Sequence, residues 1–196
     1  MSSLLYVCFL ENDEELMEHH WLNRMAARLA PKSKAGDKPK IHVELFFPTK
    51  GASTTGDIVS GQACSIYYNS KVFLTRKNFS RKQWSFRTLN VNPEQLERVF
   101  NFCKAHRGEK FNHLSYYTYP MNCTNSMKAG PYWGERFGLK PQWFCSEICV
   151  SALQAGGVLD KSLHPSMHPQ TLFTLLEEST TPDCVRDYAD MKLVFA

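Results

Sequence analysis

The stretch Trp143–Gly157, WFCSEICVSALQAGG, constrains the chain most. It reads as an apolar helix with a cysteine at its head and a double glycine at its end. A helix N-terminus presents unpaired N–H groups and about half a positive charge. A thiol placed there has its thiolate stabilised, and the same N–H groups can hold an oxyanion that develops beside the sulfur. Cys145 therefore occupies a good position for a nucleophile. The competing reading is a small buried cysteine that happens to open a helix.

A thiol nucleophile needs a base from elsewhere in the fold. Of the seven histidines, His42 is the best placed, because KIHVELFFP (Lys40 to Pro48) reads as a strand closed by proline. Strand periodicity sets His42, Glu44 and Phe46 on one face and Val43, Leu45 and Phe47 on the other. A carboxylate two residues from an imidazole on one face is available to orient it or to stabilise its charge. The competing reading is a structural strand histidine.

The rest of the chain supplies a plain α+β order. Leu4 to Leu10 reads as a buried strand, and Asn12 with Glu15 marks the start of a helix running to about Ala30. The lysine-rich PKSKAGDKPK reads as a loop. Further strands are expected around Ile58 to Tyr68, Lys71 to Leu74 and Trp84 to Leu89. Asn92 caps a helix that begins at Pro93 and ends near Gly108. Phe111 to Lys140 has no clear period, another helix starts at Pro169, and MKLVFA is expected as a closing strand. At 196 residues with 43% hydrophobic content, one domain over 1–196 is expected rather than two or a disordered chain.

Seven cysteines without regular spacing do not suggest a disulfide framework. The N-terminal run lacks a basic flank and a small-residue cleavage site, so no secretory signal is read, and no apolar run approaches the ~20 residues of a membrane span. Reduced thiols and a cytoplasmic location are the expectation.

The run FCSEICVSAL resembles the aromatic-Cys-Ser-Glu-aliphatic motif of the permuted NlpC/P60 papain-like hydrolases, in the YiiX/poxvirus G6-like branch. IHVEL resembles that branch's histidine strand. GEKFN (Gly108 to Asn112) is similar to a Gly-x-x-aromatic-Asp/Asn element, and HPQTL resembles a Ser/His-Pro-x-x-Leu segment. Histidine first and cysteine late is the circularly permuted order. The resemblance implies a permuted papain-like fold with helices on an antiparallel sheet, Cys145 as nucleophile and His42 as base, and it leaves a viral source open. In such families the third polar residue usually comes from the strand after the histidine strand. Here that stretch offers Gln62, Ser65 and the nearby Asp57, with Glu44 the nearest acid in sequence.

Two other patterns compete. Cys145-x3-Cys149 and His164-x3-His168 have nearly zinc-finger order, yet the cysteines sit in a helical run and each histidine precedes a proline. Residues 75–87, TRKNFSRKQWSFR, interleave Arg76, Lys77, Arg81, Lys82 and Arg87 with Phe79, Trp84 and Phe86, as nucleic-acid contacts do. The simpler reading is a strand and turn with aromatics inward and charges solvated, which the modest net charge of +4 supports. The expectation is a cysteine hydrolase or acyltransferase needing no metal or organic cofactor. Its substrate would be a peptide, ubiquitin-like or lipid acyl group, with no nucleic acid expected; the alternative is a non-catalytic binding module on the same fold.

Overall fold

Alternating and apolar runs in the first half of the chain form five strands. They are β1 (Ser3–Glu11), β2 (Lys40–Pro48), β3 (Ile58–Ser65), β4 (Phe73–Ser80) and β5 (Trp84–Val91). Every pairing among them is antiparallel, in the order β4-β3-β2-β1-β5. The computed structural model describes residues 3–11, 24, 27, 30–31, 38–49, 58–80, 83–112 and 142–178. Of the helix expected up to Ala30, Arg24 and Ala27 are described and helical. The expected strand MKLVFA and most of 111–140 lie outside the described residues, as does Asp57.

Three helices follow: α1 (Pro93–Ala105), α2 (Cys145–Ala155) and α3 (Pro169–Glu178). A short parallel pair, β6 (Lys110–Phe111) with β7 (Gln142–Trp143), sits between α1 and α2. The fold is α+β, as expected. At the start of α1, Asn92 accepts the Gln95 N–H at 2.8 Å while the Gln95 side chain accepts the Asn92 N–H at 3.0 Å. That reciprocal cap, with Pro93 behind it, ends the sheet and starts the helix.

The two faces of the sheet bury different cores. Leu5, Val7, Phe9, Val43 and Leu45 lie under the helices with Val99, Ile148, Cys149, Leu153 and Leu172. Each fully buried aliphatic side chain there contributes about 1.5–3 kcal/mol. Tyr6, Cys8, Phe46, Ala63, Phe79 and Phe86 form a second cluster on the opposite face. β4 and β5 are the two edges of the sheet, yet only three residues join them, so the sheet must curl. The rings of Phe79 and Phe86 meet across the gap at 6.2 Å, edge to face. Gly61 lies where this interior is tightest: a Cβ there would sit 2.3 Å from the Phe47 carbonyl oxygen and 2.7 Å from the Phe46 ring.

β4 is longer than the sequence suggests. It runs through TRKNFS, because pairing with all of β3 from Ile58 to Ser65 satisfies its backbone. That extension turns part of the basic–aromatic segment inward.

Candidate active site

Two backbone features set the head of α2. Phe144, the residue before the helix, is extended (φ −99°, ψ 165°), and no side-chain bond caps the helix from it. A phenylalanine has no acceptor to offer the first-turn N–H groups. The approach is held from behind instead. Glu147 Oε2 accepts the Phe144 N–H at 3.2 Å, and its Oε1 accepts from Ser166 Oγ at 2.8 Å. Burial pushes the Glu147 carboxyl above its usual range, and these two bonds offset that only in part.

The GEKFN segment steadies the same approach. Gly108 takes φ +89°, a conformation that suits glycine, and its N–H donates to the Val72 carbonyl at 2.9 Å. Phe111 then packs edge-on against Phe144 at 5.6 Å, and the Asn112 N–H donates to the Trp143 carbonyl at 3.0 Å. At the other side, Gln170 Oε1 on α3 accepts the Lys40 N–H at 2.9 Å, fixing the start of β2. Both resembling elements, GEKFN and HPQTL, thus brace the cysteine helix and the histidine strand.

Cys149 lies against β2 and β3, with its Sγ 3.7 Å from the Val43 carbonyl oxygen and 3.9 Å from that of Cys64. Cys145 is one helical turn nearer the N-terminus, about 6 Å along the axis. The Cys145 thiol there lies near enough to the His42 imidazole to raise its pKa. Cys145 is half-buried, whereas Cys8, Cys64, Cys103 and Cys149 are buried. Both residues expected from the sequence to form a dyad thus lie in one neighbourhood.

Behind His42 lies Glu44, whose side chain is completely buried. His42 Nε2 sits 3.3 Å from Glu44 Oε1. The alignment falls short of a hydrogen bond, since His42 Nε2 and Glu44 Oε2 have no hydrogen-bond partner. The pair attracts as charges. Burial by itself lowers the His42 pKa, but the Cys145 thiolate and the Glu44 carboxylate outweigh it and raise it from 6.5 to about 9. Burial likewise opposes ionisation of Glu44, yet His42 and then Lys77 hold its carboxyl below the ordinary value.

The other candidates for a third polar residue go elsewhere. Gln62 is exposed, and the Ser65 hydroxyl donates to the Val43 carbonyl at 2.6 Å, a bond that ties β3 to β2.

Two residues that sequence reasoning did not assign to the site stand beside it. Tyr67 stacks on the His42 ring, centroids 4.8 Å apart and planes within 22°, and its hydroxyl donates to Glu44 Oε1 at 2.7 Å. Burial and then the Glu44 charge push the phenol pKa up, so Tyr67 acts as a donor. Lys77 also reaches Glu44 Oε1. This corrects the reading of TRKNFSRKQWSFR as a surface with its charges solvated: Lys77 and Trp84 line the site, while Arg76 is exposed. A sequence signal for Tyr67 existed. Leu45 faces Cys64 across β2 and β3, and continuing that register outward by three residues sets Tyr67 opposite His42.

The zinc-like quartet is not gathered at one point. Cys149 is in the core, and burial pushes its thiol pKa well up. The Nδ1 atoms of His164 and His168 accept the backbone N–H groups of Ser166 and Gln170, at 3.1 and 3.0 Å. Among the described residues no three His, Cys, Asp or Glu side chains are grouped to hold a metal ion. Among them, too, no helix is long and apolar enough to cross a membrane.

Comparison with protein-family models, with curated proteins and with solved structures finds no match.

Proposed function

We propose that this chain is a cysteine hydrolase or acyltransferase of permuted papain-like type, acting on an amide, isopeptide or ester bond through an acyl-enzyme. One observation carries the reading. A half-buried thiol at a helix head that Phe144 does not cap lies close to an imidazole that is itself backed by a buried carboxylate. Those are the parts that thiol acyl transfer requires.

In this reading His42 and Cys145 stand as an imidazolium–thiolate pair. The thiolate attacks the substrate carbonyl carbon and forms a C–S bond. The carbonyl oxygen becomes an oxyanion facing the first-turn N–H groups of α2, which Phe144 leaves without a side-chain acceptor. Collapse expels the amine or alcohol, which takes the proton from His42. Water, or an acceptor nucleophile, then gives its proton to His42 as it attacks the thioester, and the resulting tetrahedral intermediate collapses by breaking the C–S bond, which releases the acyl product and regenerates the thiolate. Glu44 orients the imidazole and stabilises its charged form. Tyr67, 43% exposed, marks the open side of the site through which a peptide, ubiquitin-like or lipid acyl substrate approaches.

The test is the pH dependence of Cys145 alkylation by a mild alkylating agent, with peptide mapping, beside turnover of activity probes bearing peptide, ubiquitin-like or acyl-chain groups. Cys145 should react first among the cysteines. His42→Asn should slow alkylation near neutral pH and reduce turnover on the order of a hundredfold or more, the usual worth of a positioned base. Unchanged profiles in a folded His42→Asn protein would leave a non-catalytic binding module as the better reading.

A further inference from the structure

Lys77 lies on β4, two strands away from Glu44 on β2. The intervening strand β3 carries Gly61 and Ala63, residues too small to block the path between them. Its Nζ contacts both Glu44 Oε1 and the Tyr67 hydroxyl. Four aromatic rings surround that Nζ: Trp84 at 4.8 Å, Phe79 at 4.9 Å, Tyr67 at 5.1 Å and Phe73 at 5.8 Å to their centroids. An ammonium held by ring faces and one carboxylate has left bulk water for a specific place. Nothing in the pairing of β3 with β4 requires a charge there.

The charged groups of the site come from each element around it. Cys145 comes from α2, with Cys149 behind it in the core; His42 and Glu44 come from β2; Lys77 comes from β4. Tyr67, between β3 and β4, adds a neutral hydroxyl, and Trp84 on β5 adds an uncharged ring. With the dyad as imidazolium and thiolate, the cluster holds two positive and two negative charges. Resting on the hydrolase reading above, we propose that Lys77 is a positioning residue for this dyad. Its ring-held ammonium clamps Glu44 as an anion behind His42 and balances the charge that the Cys145 thiolate adds.

The reasoning gives variants with opposite signs. Lys77→Met removes a positive charge, making every neighbouring anion harder to form and every neighbouring cation easier to keep. Both limbs of the Cys145 reactivity profile should then move to higher pH, by on the order of one to two pH units for a charge at an effective dielectric near 20 that solvent partly screens. Glu44→Gln should move them to lower pH by a similar amount. The double variant Lys77→Met/Glu44→Gln restores the balance, so its midpoints should return to within a few tenths of a pH unit of the parent. Lys77→Arg keeps the charge and should keep the midpoints, whatever it does to the rate.

The experiment is Cys145 alkylation by iodoacetamide from pH 4 to 10 on the full chain and these variants, with circular dichroism as the folding control. Opposite displacements that cancel in the double variant support the proposal. Loss of rate without displacement in either single variant, or a Lys77→Met profile superimposed on the parent, overturns it while leaving the dyad standing. If Lys77→Met does not fold, the double variant decides, since it buries no unpaired charge: midpoints displaced by a pH unit from the parent overturn the proposal. A His42→Asn profile that matches the parent overturns both the dyad and the proposal.

Discussion

The pair of charges at the site leaves a signature in how stability depends on pH, and His42→Asn is the perturbation that isolates it. Below about pH 6.5 the imidazole is protonated in the folded and the unfolded chain alike, so its favourable surroundings are fully expressed. As the pH rises, the unfolded chain sheds that proton while the folded chain keeps it until about 9. The His42 contribution taken alone falls through this window at 1.36 kcal/mol per pH unit and is gone above 9, a loss of about 3 kcal/mol over about 2.5 pH units. Where Cys145 gives up its own proton in the fold the fall is cancelled, because imidazolium plus thiolate holds as many protons as the neutral imidazole and thiol of the unfolded chain. The His42 side chain is only 11% exposed, so solvent screening takes little from that figure.

Alkali has a second effect. Burial raises the Cys149 thiol, and contact with Cys64 together with burial raises that of Cys103, from an ordinary value of 9.0. Those thiols ionise in the unfolded chain first and erode stability near and above pH 9 in any variant. The clean comparison therefore runs from pH 6.5 to 8.5, by urea denaturation under reductant. There the two curves should run parallel, because the imidazolium–thiolate pair and the unfolded imidazole and thiol bind equal numbers of protons. A parent that loses about 2 kcal/mol more than His42→Asn would show His42 protonated beside a neutral Cys145 thiol, and would refute the ion pair.

Three further outcomes follow from the geometry. Gly61→Ala forces a methyl against the Phe47 carbonyl and the Phe46 ring, and should cost about 1–3 kcal/mol or more, read as a lowered urea midpoint. Asn92→Ala removes the cap of α1 and should cost about 1 kcal/mol in the same measurement, with Cys145 alkylation unchanged. Glu147→Leu removes both acceptor oxygens and leaves the Ser166 hydroxyl and the Phe144 N–H unmatched. It should lose about 1–3 kcal/mol and, by loosening the head of α2, slow Cys145 alkylation.

What the sequence made legible was local. A cysteine before an apolar run that ends in Gly-Gly marks a helix head, and period-two alternation puts His42 and Glu44 on one face. Both follow from backbone geometry within a few residues. Proximity of Cys145 to His42 was less accessible, because it depends on how α2 lies across β2 and β3. Tyr67 and Lys77 were harder still. Tyr67 requires the β2–β3 register to be carried past the end of the pairing, and Lys77 requires knowing that β3 between it and Glu44 is nearly bare. A lysine among arginines and aromatics reads as solvated until the curl of the sheet turns it inward. The strand order β4-β3-β2-β1-β5 itself involves the relative placement of elements, which strand and helix signals do not encode.

The clasp between β6 and β7 has a consequence for how such a chain could diversify. The pair is parallel and only two residues long, so Asn112 just past the end of β6 and Gln142 at the start of β7 are separated by no more than about two residues' rise along it. Closing a longer loop over a fixed gap costs only logarithmically more, about 0.6 kcal/mol for each doubling of length. Insertions, deletions or a proteolytic nick between those two residues would leave the approach to Cys145 clamped. The length of chain between Asn112 and Gln142 can therefore change without moving the head of the cysteine helix.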